Sequence, residues 1–188
     1  VAAWGAVLHQ VTGQDDIVVP VLAARRPPEL DEVVGYCSNL LPLRLRRTAD
    51  VLAADYVADV MEHLVTGLES QDHPFADLIT ELAPGSGLRA DLLATSVSFY
   101  RRVAAPPMDG LTVSEADPLP VIHTGHPLAL NIIEGEDGFR CDFEIATDIL
   151  APELTADIAR RYQNLLAGLV AHGERPLAHL DRPDHDDL

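Results

Sequence analysis

Gly35-Tyr36-Cys37-Ser38-Asn39-Leu40-Leu41-Pro42-Leu43-Arg44 and, further along, Ser70-Gln71-Asp72-His73-Pro74-Phe75 are the stretches whose reading decides the fold. Taken alone, each has a plain structural account. Residues 40–46 alternate around a proline, the pattern of an edge-like or bulged strand, because proline has no N–H to give to a ladder. Residues 35–39 read as a turn, in which Asn39 bonds its own backbone. Pro74 suits the first turn of a helix over 75–82, which Asp72 would cap and Phe75 would anchor in the core. Between the two stretches, residues 53–68 give the strongest helix of the first half. They place Tyr56, Val57, Val60, Met61, Leu64 and Leu68 near one stripe.

Outward from these stretches, residues 1–11 read as a helix stopped by Gly13, and 17–24 as a short strand largely buried on both faces. A helical turn is expected near 29–34 and a strand over 92–101. Prolines mark 106–120 as loop, with a short strand near 111–114. Residues 128–134 and 139–146 form a hairpin around Gly135-Glu136-Asp137-Gly138. Residues 152–172 form a long amphipathic helix carrying Leu154, Ile158, Tyr162, Leu165, Leu166 and Leu169, with Gly173 as its stop. Helices and strands mix without a regular βαβ rhythm. The expected class is therefore α/β, a mixed-sheet sandwich with helices packed on it.

The 188 residues suffice for one substantial core. Residues 1–180 are read as one unit and 181–188 as an acidic tail or linker start. Thirty acidic residues against thirteen basic ones give a formal charge of −17. Such a surface repels phosphate backbones and anionic bilayers, so neither nucleic acid nor membrane is an expected partner. There is no apolar run of the roughly 20 residues that span a bilayer, and no basic-then-apolar leader. The chain begins without Met, directly in helical sequence, as a piece of something larger would. Two cysteines, Cys37 and Cys141, are too few for a thiolate zinc cage or a disulfide framework. Reduced thiols and a cytoplasmic location follow as expectations.

Local sequence nominates no reaction centre. His123-Thr124-Gly125-His126 spaces two imidazoles by three but offers no third ligand, so no metal site is expected. His9 and His63 lie beside polar residues on helices and read as surface groups, and His172 falls at a helix C-terminus, where its charge would favour the dipole. Cys37 reads as a small buried thiol. There is no Gly-x-Ser-x-Gly elbow and no Gly-rich phosphate loop.

The pair of opening stretches is more specific than either member. In order and separation they resemble late motifs of the condensation domains of nonribosomal peptide synthetases, of the form Gly-x-Phe-x-Asn-Thr-Leu-Pro-Leu-Arg and His-Gln-Asp-x-Pro-Phe-Glu. Residues 8–19 are similar to the helix-to-strand entry of that family's C-terminal lobe, and Phe143-Glu144-Ile145-Ala146-Thr147-Asp148-Ile149-Leu150 to the strand before its last helix. The likeness covers about residues 1–180. It departs at Leu40, Ser70 and Ala76, where Thr, His and Glu are usual, and at Val97-Ser98 or Phe99-Tyr100, where an aromatic-Asn pair is expected. The family's His-His-x-x-x-Asp-Gly motif is missing. His73 and Asp77 echo part of it by coincidence, inside the other motif.

The resemblance implies half of a chloramphenicol-acetyltransferase-like fold and no catalytic residue in this chain. It implies one wall of a tunnel in which carrier-bound acyl and aminoacyl groups are joined as an amide. Asn39, Gln71, Asp72 and Ser98 are the implied tunnel or lobe-interface residues. No cofactor is bound directly, because the substrates ride on phosphopantetheine of partner carrier domains. The implied partners are an N-terminal lobe, peptidyl and aminoacyl carrier domains and neighbouring synthetase domains. The loop over 104–125 is the candidate crossover to the other lobe. Without the histidine motif this chain alone should be nearly inert, since losing such a group costs roughly 100- to 10,000-fold. The alternatives are a non-catalytic docking or recruitment module, or a related epimerisation, cyclisation or ester-forming lobe.

Overall fold

The computed structural model describes residues 1–24, 26–30, 32–82, 92–101, 108–111, 125–135 and 138–180. Within these, the chain forms helix α1 (Ala2–Thr12), strand β1 (Asp16–Ala24), strand β2 (Ser38–Arg46), helix α2 (Ala53–Glu69) and helix α3 (Phe75–Leu82). Strands β3 (Thr95–Arg101), β4 (Leu128–Gly135) and β5 (Gly138–Ile145) follow, then helix α4 (Glu153–Ala171). The strands make one mixed sheet in the order β2-β1-β3-β4-β5. β1 is antiparallel to β2 and parallel to β3, β3 is parallel to β4, and β4–β5 is an antiparallel hairpin. The architecture is the expected α/β one, and the proline-bearing β2 is an edge strand. Pro20 lies opposite Pro42 and has no N–H to offer. The β1–β3 ladder is accordingly confined to Val21↔Val97 and Leu22↔Ser98.

The core lies on one side of this sheet. Ile17, Val19 and Val21 of β1, Leu43 and Leu45 of β2, Val97 of β3 and Leu128, Leu130 and Ile132 of β4 pack against α1, α2 and α4. Trp4 is fully buried at its centre. Its ring lies 6.0 Å from Phe143 and 6.4 Å from Tyr162, and its Nε1–H donates to Thr95 Oγ1 at 3.2 Å. That bond satisfies the one polar group a buried indole brings with it. Gly5 lets α1 approach α2 and β2 closely, since a Cβ there would sit 2.5 Å from the Tyr56 hydroxyl and 2.6 Å from Leu45.

Several expectations need correction. β1 is buried on its second face only in part: Pro20 is buried and Val18 half-buried, but Leu22 and Ala24 are exposed. The α2 stripe buries only Ala53, Tyr56 and Val60, leaving Val57, Met61, Val65 and Leu68 exposed. His9 is not a surface group but is fully buried, because α1 is covered by α2 and α4. Its Nδ1–H donates to Gln14 O at 2.7 Å, and burial lowers its pKa. Gly173 does not terminate α4 by positive φ. The helix closes at His172, and Gly173 instead permits contact with Ala54, whose Cβ would lie 3.3 Å from an added one. The segment after α4 caps α2: Ala53 N–H donates to Arg175 O and Ala54 N–H to Gly173 O. Cys37 is half-buried, and the strand predicted over 92–101 starts at Thr95. The loop tip 136–137, the tail 181–188, His123 and most of the 104–125 crossover lie outside the described residues.

Candidate functional site

Asn39 ties the two opening stretches together. It lies on β2 in the same alternation as Leu41, Leu43 and Leu45, so it points to the helix side of the sheet. Its Nδ2 donates to Gln71 O at 2.9 Å and His73 O at 2.8 Å, and its Oδ1 accepts the Phe75 N–H at 3.1 Å. Phase and amide chemistry explain this junction. Residues 70–74 form a turn whose Gln71 and His73 carbonyls face Asn39, and the first N–H groups of a helix lack intrahelical partners. One carboxamide supplies two donors and one acceptor to match. Asn39 therefore bonds a distant backbone rather than its own. Gln71 enters the junction through its carbonyl and is half-buried, whereas Asp72 and His73 are exposed. His73 Nε2 lies 3.7 Å from Glu81 Oε1, a solvated pair remote from any cavity described.

The opposite face of the sheet has a different character. The described helices α1, α2 and α4 leave it open, and it carries a cleft of about 390 Å³. Leu22 and Leu40 line it at the β1–β2 end, Tyr36 and Tyr100 add aromatic surface, and Ser98, Asn131 and Glu144 form its polar side. These last three make a directed chain across three strands. Ser98 Oγ–H donates to Asn131 Oδ1 at 2.5 Å, and Asn131 Nδ2–H donates to Glu144 Oε1 at 2.8 Å. An ionised carboxylate only accepts, so it fixes the orientation of the Asn131 amide and hence makes Ser98 the donor. The register Ser98↔Asn131 and Ala129↔Glu144 brings the three together.

Ser98 was legible as a candidate, but Asn131, Glu144, Tyr36 and Tyr100 were not. The available signal was strand phase: Asn131 and Glu144 are polar residues on the alternation opposite to Leu130, Ile132 and Phe143. His126 also lines the cleft, with its Nδ1 at 2.8 Å from Leu93 O. Among the described residues there is no cluster of three or more His, Cys, Asp or Glu able to hold a metal ion, and no helix long and apolar enough to cross a membrane.

The condensation-domain family profile matches residues 1–187. The chain belongs to the condensation-domain family. This condensation-domain chain is 28% identical over 185 residues to a plipastatin synthase of Bacillus subtilis, covering 95% of this chain and 7% of that protein. It is 30% identical over 179 residues to a linear gramicidin synthase of Brevibacillus parabrevis, covering 93% and 2%. The starter condensation domain of rhizomide synthetase, solved with C8-CoA and Leu-SNAC, superposes with a TM-score of 0.78 at 25% identity. That match covers 97% of this chain and 42% of that structure. A four-domain nonribosomal peptide synthetase bound to AMP and glycine shares the fold with a TM-score of 0.84 at 18% identity, over 99% of this chain and 16% of that one. The chain thus spans about two-fifths of the rhizomide synthetase domain and less than one-tenth of the two curated synthases.

Proposed function

We propose that this chain is the C-terminal lobe of a condensation domain that joins carrier-bound acyl and aminoacyl groups by amide bond formation. Its open sheet face would form one wall of the substrate tunnel. The observation that carries this reading is the cleft on that face, with the Ser98–Asn131–Glu144 chain in its wall and the helices packed on the other side. In this role Ser98 contacts the tunnel directly. Asn39 acts as a positioning residue that fixes the 70–75 segment, and Gln71 and Asp72 lie on that segment at the lobe boundary. The partners are an N-terminal lobe and the carrier domains, whose phosphopantetheine arms bring both substrates, and the location is cytoplasmic. The amine's proton is handled by a histidine of the other lobe, so this lobe contributes position and environment.

The test is a transfer assay with acyl- and aminoacyl-carrier proteins, the full two-lobe protein and mass-spectrometric detection of the amide. Product with the full protein and a rate about 100- to 10,000-fold lower with residues 1–188 alone is the expected result. No product above background from the full protein sinks the condensing role and favours a docking module.

A further inference from the structure

We infer that the open-face cleft selects a carrier-bound amino acid with a positively charged side chain, which Glu144 holds through its second carboxylate oxygen. This rests on the tunnel-wall reading above and adds a substrate class to it. About 390 Å³ is within the range of small-ligand sites, room enough for one side chain. Within the cleft, the polar chain runs in one direction. Ser98 donates to Asn131 and Asn131 donates to Glu144, so the chain ends on a carboxylate whose Oε1 is occupied. Glu144 makes no other hydrogen bond or ion pair among the described residues. Glu144 is half-buried, and its second oxygen faces the cleft, where a cationic donor can replace water and bond it. Among the described residues the cleft lining includes no Lys or Arg, and Arg140, on the same strand as Glu144, pairs with Asp142 at 2.7 Å. Tyr36 and Tyr100, lining the same cleft, add aromatic surface of the kind that attracts cations.

The held group is a side chain rather than the reacting amine. A carboxylate beside an ammonium stabilises the charged form. A protonated amine has no lone pair with which to attack a thioester. Glu144 would thus slow amide formation if it gathered the nucleophile, and it aids selection only by gathering a separate amine or guanidinium.

The experiment compares carrier-bound ornithine with carrier-bound norvaline, which lacks the terminal amine, as acceptors for the full two-lobe protein. Wild type is expected to prefer ornithine by about tenfold, as for one charge-assisted hydrogen bond in a cleft. Glu144→Gln keeps an oxygen for Asn131 and should bring the two rates within about twofold. In parallel, Nα-acetyl-ornithine methyl ester and Nα-acetyl-norvaline methyl ester are titrated against both proteins. Only the first should bind measurably tighter, and only to wild type. Transfer without an ornithine preference in wild type overturns the inference while leaving the condensing role intact, and needs no variant to fold. An ornithine preference that survives in Glu144→Gln also overturns it. If no acceptor is used at all, the condensing role fails, and the titrations decide the cation site separately: tighter ornithine-ester binding that Glu144→Gln abolishes supports it, and equal binding refutes it.

Discussion

The two faces of the sheet are built from alternate residues of the same five strands, yet they solve opposite problems. The helix-covered face excludes water with Trp4, Val19, Leu45, Leu130 and Leu165, all fully buried. The open face has the aliphatic Leu22 and Leu40 at one end and a hydrogen-bonded polar chain at the other. Removing atoms from the first leaves a cavity that cannot fully collapse. The second combines buried Ser98 and Ala129 with half-buried Asn131 and Glu144 and exposed Tyr100, so a change there removes less packing. The difference teaches that the packed core and the polar chain are assigned to opposite strand phases. Substitutions one residue apart should then have unrelated consequences.

The largest expected break of that contrast is Trp4→Ala. It removes the centre of the covered face together with the Thr95 bond, and should cost about 3–5 kcal/mol in a urea titration. A cost under about 1 kcal/mol would mean that the covered face is not the core. Asn39→Ala comes next. It frees two backbone carbonyls and one N–H of residues 71–75 and should lower stability by about 1–3 kcal/mol. Hydrogen exchange should locate the effect in α3, and a uniform change across the sheet would refute the junction role. Ser98→Ala, on the open face, should change stability by about 1 kcal/mol or less.

The smallest effect sharpens the contrast through pH. His9 is buried neutral on the covered side, and burial, the largest cause, holds its pKa below the ordinary 6.5. The bond to Gln14 O and the charges of Asp15 and Asp16 oppose this, and Arg47 reinforces it. The unfolded chain therefore binds the proton first as pH falls. Stability is complete above about pH 6.5 and declines from there toward the lower folded value. Melting temperatures between pH 8 and pH 5.5 should fall less steeply in His9→Gln than in wild type. Parallel curves would show that His9 is not the group involved.

Much of the fold was legible in the residues because its causes are local. The apolar periods of 53–68 and 152–172 gave helices now seen as α2 and α4. The prolines gave an edge at β2, and glycines 135 and 138 flanked a hairpin whose Gly138 takes φ 134°. The misreadings had causes beyond the local window. His9 sits beside polar residues in sequence, but Tyr56 of α2 packs against its ring, with centroids 5.9 Å apart. The apolar residues of α2 exceeded what one contact stripe could cover, which left Met61 and Val65 in solvent.

By itself, the sequence determined the succession of helices and strands, the mixed α/β class and the motif pair that marks the family. Each depends on side-chain period, turn residues or short spacing. Only the tertiary structure decided that Asn39 caps α3 from 36 residues away. It alone placed Ser98, Asn131 and Glu144 on one line across β3, β4 and β5. Strand order and register make those contacts, and they are fixed by burying one face of the whole sheet at once. A single-residue slip would turn the polar chain into the core and the core into water.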